Sequence, residues 1–269
     1  MGILYLSGCS MTKNDEVQSL LRVVCKLGQL MLENGAETYR VEQTINIVSK
    51  SYNYTQCESS VIPSTISVSI TSSNGETFTM IKRIRSRTVN LNKISLVNDL
   101  SRKIVTEKIS ISELNKQLDK IDQSPQYSKL SSTFFTALAS ASFCLLFGGN
   151  YKDFFVTFVL GNLLSLCTSY LNSMDVNGFF VNIVAGFLTS FLGMIAVNIG
   201  LGSQHDKIVI GSIMLLLPGI AITNAIRDII AGDLVSGMSR SIEAMLAAIS
   251  IALGTGIGFN IGIRLLGGL

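Results

Sequence analysis

The second half of the chain is almost entirely apolar, and this constrains the fold more than any other feature. Beyond Leu130 nearly every segment is hydrophobic and rich in glycine, with charged residues confined to short gaps. A bilayer core requires about 20 mostly apolar residues per helix. We therefore predict an α-helical membrane domain of five transmembrane helices over residues 130–269. The predicted spans are 131–149, 153–171, 178–200, 207–229 and 240–266.

The first half has mixed charge and changing periodicity. Residues 16–51 show the three- and four-residue hydrophobic spacing of helices, with a break at Asn34-Gly35. Between residues 56 and 84 the period changes to two, and Asn74-Gly75 marks a hairpin turn. Helical spacing then returns. We predict a soluble α+β domain with about three strands, placed before the membrane domain.

The domain boundaries follow from composition. The α+β domain is predicted over residues 16–125, with a linker near Pro125, because proline disfavours helix at the residue before it. Residues 1–15 are predicted to be disordered or a mis-assigned start. Leu6 to Cys9 matches the tail of a bacterial lipoprotein signal, but the preceding stretch is short and uncharged. Translation from Met11 is the favoured alternative.

Charge and composition exclude several functions. Lysine and arginine lie mostly in the first half, which we expect on the cytoplasmic side of a plasma (inner) membrane. With five spans, the C-terminus would lie outside. The basic run 82–87 is short and lacks an aromatic platform, so we expect no nucleic-acid partner.

The reactive side chains are few. The five cysteines are scattered without a C-x-x-C pair, and His205 is the single histidine. We therefore expect no metal, no cofactor and no catalytic residue. The chain also lacks the G-x-x-x-x-G-K-[ST] motif of ATP binding, which favours secondary transport.

A polar cassette, residues 218–243, interrupts the apolar half. A Pro-Gly pair breaks backbone hydrogen bonding, which membranes tolerate only where the backbone is buried in protein or lines a watery cavity. Ionisable residues at such a break mark a pathway by default. Alternatively, the charged residues cap and pair at the inner membrane surface. The predicted substrate and ion pathway comprises Pro218, Gly219, Asn224, Arg227, Asp228, Asp233, Arg240 and Glu243.

The cassette has the groups needed to bind a small zwitterion or dicarboxylate. Asn224, Arg227 and Asp228 lie within about one helical turn and share a broad face. A guanidinium clamps a carboxylate through two hydrogen bonds, and we assign this role to Arg227 or Arg240. Asp228 or Asp233 would couple a proton. Pro218 and its neighbour would supply a hinge and open backbone.

Two further patterns have alternative interpretations. Gly254, Gly258 and Gly262 form a helix-packing stripe, which either contacts a partner subunit or homo-oligomer or packs within the chain. The dense polar segment 33–42 is either a site or the solvated start of a helix. Its motif residues are Gly35, Glu37, Tyr39 and Arg40.

Motifs in both halves resemble one family. The first group is 32–42, Pro63-Ser64-Thr65-Ile66-Ser67-Val68 and 87–91; the second is Leu217-Pro218-Gly219, 224–228, Gly232-Asp233, Gly237 and Arg240. From about residue 17 to the end, the chain resembles the threonine/serine exporter family, in its larger-subunit branch.

The resemblance implies an inner-membrane exporter with a cytoplasmic α+β domain followed by membrane helices. Some members carry two blocks of about five spans, whereas in split members a short five-span protein supplies the second block. This chain ends after one block, so it is similar to the split form. The resemblance implies export of threonine and serine, or of a dicarboxylate such as succinate.

Three hypotheses follow for the function. The first is a subunit of a secondary exporter for a small polar substrate, acting in the lipid bilayer with a second five-span subunit or as a homo-oligomer. The second is a membrane-anchored, hydrolase-like enzyme with its chemistry near Glu37 and Arg40. The third is a scaffold that does not transport.

Overall fold

The computed structural model describes residues 13–54, 56–107, 109–124 and 128–266. Residues 1–12 and Pro125 lie outside this part, and with them most of the predicted start segment and the end of the predicted linker. The chain divides into two compact units. One unit combines the residues up to 125 with Thr223–Arg240, and the other combines residues 126–222 with Ser241–Leu269.

The first unit is built from helices around a small sheet. The sheet order is β1-β2-β3, with both pairs antiparallel. Gly75, with φ of +85°, lies in the predicted hairpin turn between β2 and β3. The elements are α1 (Lys13–Glu33), α2 (Thr38–Ser51), β1 (Cys57–Ile62), β2 (Thr65–Thr71), β3 (Thr77–Arg83), α3 (Leu91–Thr106) and α4 (Ile111–Asp122).

The core of this unit follows from the two periodicities. In β2 alternate residues are buried, and Ile66, Val68 and Ile70 point to the helix side of the sheet. Leu20 and Leu27, on α1, belong to the same hydrophobic cluster. The other face of β2 carries Ser and Thr, as the alternation predicts, and that of β3 carries Thr77 and Thr79 followed by Ile81 and Arg83.

The second unit consists of helices. They are α5 (Lys129–Leu146), α6 (Tyr151–Ser173), α7 (Gly178–Asn198), α8 (His205–Ile213), the start of α9 (Gly219–Ile230) and most of α10 (Leu234–Leu266). Two buried threonine hydroxyl groups are satisfied within their own helices: Thr157 donates to the Asp153 carbonyl, and Thr189 donates to the Ala185 carbonyl. This pattern removes the cost of an unpaired hydroxyl in an apolar surrounding.

The predicted fold class, a soluble α+β domain followed by five transmembrane helices, is wrong. Among the described residues, four helices are long and apolar enough to cross a membrane: α5, α6, α7 and α10. The predicted span 207–229 instead forms two short helices of 9 and 12 residues, below the length that a bilayer core requires. The external C-terminus, which rested on an odd number of spans, no longer follows.

The reason for the fourth-span error is the backbone between α8 and α9. Residues 214–217 form a turn, and Pro218 follows without a backbone N–H to continue the helix. Beyond this break, Thr223–Arg240 belongs to the unit that contains the N-terminal residues. That unit is therefore not a separate N-terminal domain. The boundaries at 16–125 and 130–269 stay a prediction.

Candidate functional site

Two polar segments far apart in the sequence meet within the first unit. One is the Gly35 turn, which we define as residues 34–37, between α1 and α2. The other is the part of the polar cassette from Asn224 to Arg240. Gly35 ends α1 with φ of +96°, a conformation that glycine adopts without strain. The turn exposes its carbonyl groups and the first N–H groups of α2, and the cassette supplies partners for both.

Asp228 caps the N-terminus of α2 from a distance. Glu37 is in the N-cap position, but its side chain makes no capping hydrogen bond. Instead, the Thr38 backbone N–H donates to Asp228 Oδ1 at 3.1 Å. The Thr38 hydroxyl donates to Asp233 Oδ2 at 3.3 Å. Carboxylates are favoured at this position because the first N–H groups of a helix lack partners and carry partial positive charge.

Arg240 joins Asp228 to the Gly35 turn. Its Nη2 donates to the Ala36 carbonyl at 2.8 Å, and its Nε lies 3.2 Å from Asp228 Oδ2. Both side chains are buried, with Asp228 fully inaccessible. Burial raises the pKa of Asp228, and the Arg240 charge offsets this rise only in part. Asp228 therefore takes up a proton at a higher pH than a surface carboxylate does.

A second ion pair lies nearer to solvent. Arg227 Nη1 donates to Glu37 Oε1 at 2.6 Å, and Arg40 Nη1 lies 3.5 Å from Glu37 Oε2. Both arginines are about half exposed, whereas Glu37 is buried. Burial opposes ionisation of Glu37, but hydrogen bonds from its own backbone N–H and from Arg227, with Arg40 nearby, lower its pKa. Glu37 is thus an ionised carboxylate held between two cations.

Asn224 and Glu42 complete the cluster. Asn224 Nδ2 donates to the Gly35 carbonyl at 2.8 Å, one helical turn before Asp228. Glu42 accepts a hydrogen bond from the Val61 backbone N–H at 2.7 Å and so joins α2 to β1. Burial raises the pKa of Glu42, and the charge of Asp233 adds to the rise. Four carboxylates and three guanidinium groups therefore lie around the start of α2.

The structure brings together most, but not all, of the predicted residues. Five residues of the cassette contact the segment that contains the predicted motif of Gly35, Glu37 and Arg40: Asn224, Arg227, Asp228, Asp233 and Arg240. Tyr39, the fourth residue of that motif, is half-buried. The other three predicted residues, Pro218, Gly219 and Glu243, belong to the other unit. Pro218 directly precedes α9, Gly219 is its first residue, and Glu243 is exposed.

Sequence reasoning missed Thr38 and the carbonyl of Ala36. The two polar segments were recognised separately, because each is dense in charge. The sequence contains no signal that the two segments contact each other. The unusual combination of a glycine helix stop with an N-cap residue that has a long side chain was the available hint, since glutamate caps poorly.

The glycine stripe packs against α7 of the same chain. An added Cβ on Gly254 would meet the Ile183 carbonyl, and one on Gly258 would lie 2.6 Å from the Phe187 carbonyl. Gly262 faces Met194. Gly256, between them, has no neighbouring atom within 4 Å of the position that an added methyl group would take. Of the two interpretations left open by the sequence, the intramolecular one describes these contacts.

Comparison with known proteins places the chain in a family. Residues 22–262 match the family described as "Putative threonine/serine exporter". The chain belongs to this family. The resemblance found from the motifs is therefore confirmed. No solved structure matches the chain.

Three relatives illustrate the range of the family. The "Threonine/serine exporter" of Corynebacterium glutamicum is 23% identical over 95% of this chain and 54% of its own length. The "Pheromone-regulated membrane protein 10" of Pichia sorbitophila is 28% identical over 93% of this chain and 25% of its own length. The "Probable succinate transporter subunit YjjP" of Escherichia coli is 20% identical over 90% of this chain and 94% of its own length.

The chain spans about half of the length of the Corynebacterium glutamicum relative and a quarter of the length of the Pichia sorbitophila relative. The family description and the names of its bacterial members describe exporters and a transporter subunit. Together with four helices of spanning length among the described residues, they make the chain a multi-pass membrane protein.

Proposed function

We propose that the chain is a subunit of a secondary-active exporter of small polar metabolites. It would act in the plasma (inner) membrane, with its N-terminal residues on the cytoplasmic side. The family assignment supports the activity, and the basic character of the first half supports the orientation. The observation that carries the proposal is the contact between the Gly35 turn and the polar cassette. This contact places four carboxylates and three guanidinium groups close together around the start of α2.

The solvent-side ion pair is the proposed recognition element. Arg227 binds a substrate carboxylate in place of Glu37, because guanidinium and carboxylate groups form two parallel hydrogen bonds. For threonine or serine, Glu37 then receives the ammonium group. For a dicarboxylate such as succinate, Arg40 supplies the second cation. The exposure of both arginines, about half of each side chain, supports exchange of partners with a solute.

The buried pair is the proposed coupling element. Protonation of Asp228 neutralises the partner of Arg240 and weakens the acceptor that caps α2. A pKa raised by burial supports this role, because coupling requires a carboxyl group that takes up a proton above its ordinary range. Asp233, which accepts a hydrogen bond from Thr38, is the alternative proton site. Pro218, Gly219 and Glu243 stay the predicted continuation of the pathway.

The proposed partner is a second, short membrane subunit. Support comes from the Escherichia coli relative, whose name describes it as a subunit and whose length this chain covers almost completely. A homo-oligomer is the alternative assembly.

Efflux from preloaded cells tests the proposal. Cells loaded with labelled threonine, serine and succinate would express the chain alone, or with a short five-span membrane protein encoded beside it. We expect efflux only with both proteins, and the preferred label identifies the substrate class. The Arg227→Gln variant should abolish efflux, whereas Arg102→Gln, which removes an exposed arginine on α3, should not. No efflux of any label, with both proteins confirmed in the membrane, would contradict the proposal.

A further inference from the structure

A basic segment of the first unit lies outside the cluster described above. Lys82, Arg83, Arg85 and Arg87 are all exposed, at the end of β3 and in the loop that follows. No acidic residue occurs between residues 77 and 98, so the positive charge of this segment is not diluted along the chain. Three of these cations, Lys82, Arg83 and Arg85, lie within four residues and form a strong local attraction for anions.

The segment is held in a fixed place and is not a free loop. Ile84 is buried, and its backbone N–H donates to the Ser64 carbonyl at 2.9 Å. On the other side, the Thr88 N–H donates to the Glu33 carbonyl at 2.7 Å, and the Asn90 N–H donates to the Asn34 carbonyl at 3.0 Å. The backbone of the segment is therefore anchored at Ile84, among the basic residues, and at Thr88 and Asn90, which follow them.

Exposed apolar side chains flank the basic ones. Ile81, Val89 and Leu91 are 68%, 55% and 61% exposed. A surface that combines cations with aliphatic side chains fits the boundary of an anionic bilayer, where headgroups take the charges and acyl chains take the apolar groups. Residues 79–91 contain no aromatic side chain, so the stacking platform that single-stranded nucleic acids use is missing from this surface.

The anchors connect this segment to the start of a membrane-crossing helix. Glu33 and Asn34, which hold it, continue into Gly35 and Ala36, and the Ala36 carbonyl accepts a hydrogen bond from Arg240. Arg240 lies in the second turn of α10, which is a candidate span. The basic segment is therefore hydrogen-bonded to the end of α1 and to the Gly35 turn, and this turn contacts α10 within its first two turns.

We propose that segment 81–91 binds the anionic lipid headgroups of the bilayer that α10 crosses. The cations attract the headgroups, and Ile81, Val89 and Leu91 insert among them. Because such attraction is electrostatic, it depends on anionic lipid and weakens with salt. The inference concerns the lipid environment and does not depend on which solute the proposed exporter moves.

A single tryptophan tests this proposal in the full-length protein. The chain contains no tryptophan, so Val89→Trp introduces a unique fluorophore. The variant would be reconstituted in nanodiscs of brominated phosphatidylcholine, with or without about 30 mol% phosphatidylglycerol, and quenching by the bromine atoms would be measured. We expect phosphatidylglycerol to increase quenching about twofold, and about 0.5 M salt to reverse the increase.

Matched variants identify the groups responsible. Lys82→Gln, Arg83→Gln and Arg85→Gln together should abolish the increase. Arg102→Gln, Lys116→Gln and Lys120→Gln, which remove the same charge from exposed positions of α3 and α4, should retain it. Gel filtration would establish that all variants have the wild-type profile.

Three results would overturn the proposal. The first is quenching of the Val89→Trp fluorophore that is unaffected by phosphatidylglycerol. The second is an equal loss, in both triple variants, of the increase in quenching that phosphatidylglycerol causes. The third is a change in the Val89→Trp fluorescence on adding an RNA oligomer to phosphatidylcholine nanodiscs that is larger than the change caused by phosphatidylglycerol. That result would assign the segment to nucleic acid.

Discussion

The carboxylate of Asp228 accepts a hydrogen bond from the backbone amide of Thr38, 190 positions earlier in the chain. This bond caps α2, and Arg240 lies against the other oxygen of the same carboxylate. The stability of α2 and the charge state of the cassette are therefore linked through one side chain.

The first prediction separates the capping role of Asp228 from its charge by substitution. Asp228→Asn keeps an oxygen acceptor for Thr38 and resembles the protonated carboxyl, so it should insert and fold but lose export. Asp228→Ala also removes the cap and should lower the free energy of unfolding by about 0.5–2 kcal/mol. Efflux and thermal unfolding in detergent measure the two effects. Normal export by Asp228→Asn, at matched abundance, would refute the coupling role.

The second prediction concerns pH and Asp228. Its pKa in the folded state is raised, so the folded protein binds this proton more tightly than the unfolded chain does. The corresponding stabilisation is complete below the ordinary value of 3.8 and is lost as pH rises through the raised pKa. The unfolding temperature of wild type relative to Asp228→Asn should therefore fall as pH increases from about 4 to 7. A difference independent of pH would contradict the raised pKa.

The third prediction has the opposite sign and concerns Glu37. Its pKa is lowered in the folded state, so its ionised form contributes stability that is present above the ordinary value of 4.5. This contribution is lost as pH falls through the lowered pKa. Glu37→Gln should remove that acid-side loss, while Glu33→Gln, at a residue on α1 without this pair of arginines, should leave it in place. Thermal unfolding of the three proteins across the acidic range provides the comparison.

The fourth prediction measures the Arg227–Glu37 pair. Because Arg227 is about half exposed, solvent weakens the attraction, and a double-mutant cycle of Arg227→Gln and Glu37→Gln should give a coupling free energy of only about 0.5–1 kcal/mol. Export should nevertheless be lost in both single variants, since binding of the solute requires the groups themselves. A large coupling energy with intact export would identify the pair as structural.

The fifth prediction uses two glycines of one helix. Gly258→Ala places a methyl group against the Phe187 backbone and should lower the free energy of unfolding by about 1–3 kcal/mol. Gly256→Ala meets no neighbour within 4 Å and should raise the free energy of unfolding by up to about 1 kcal/mol, because alanine favours a helix more than glycine does. Thermal unfolding in detergent compares them. Equal effects would show that α7 and α10 separate enough to accommodate a methyl group.

Local patterns predicted what depends on local chemistry. Hydropathy identified the four spanning helices, and the alternation around Ile66, Val68 and Ile70 identified the small sheet. The error at residues 207–229 arose because an average over a window of residues does not register the backbone break at Pro218. The residues on the two sides of the break have the composition of one membrane span, but they form two short helices and not one continuous helix.

The pairing of the two polar segments was beyond prediction for a different reason. Thr38 and Asp228 are joined by one hydrogen bond, and hydrophobic period carries no information about which distant groups form such bonds. The charge density of each segment predicted that both matter. Only the fold shows that Glu37, at the start of α2, and Arg227, on α9, belong to one cluster.

The composition of the first unit has a consequence for how the protein is made. A ribosome completes residues 13–124 first, but the Asp228 and Arg240 side chains that finish this unit emerge only after α5, α6 and α7 have been synthesised. At roughly 5–20 residues per second, the 190 residues between Thr38 and Asp228 leave the start of α2 without its cap for about 10–40 seconds. Maturation of the N-terminal residues is therefore coupled in time to membrane insertion of the spans that follow them.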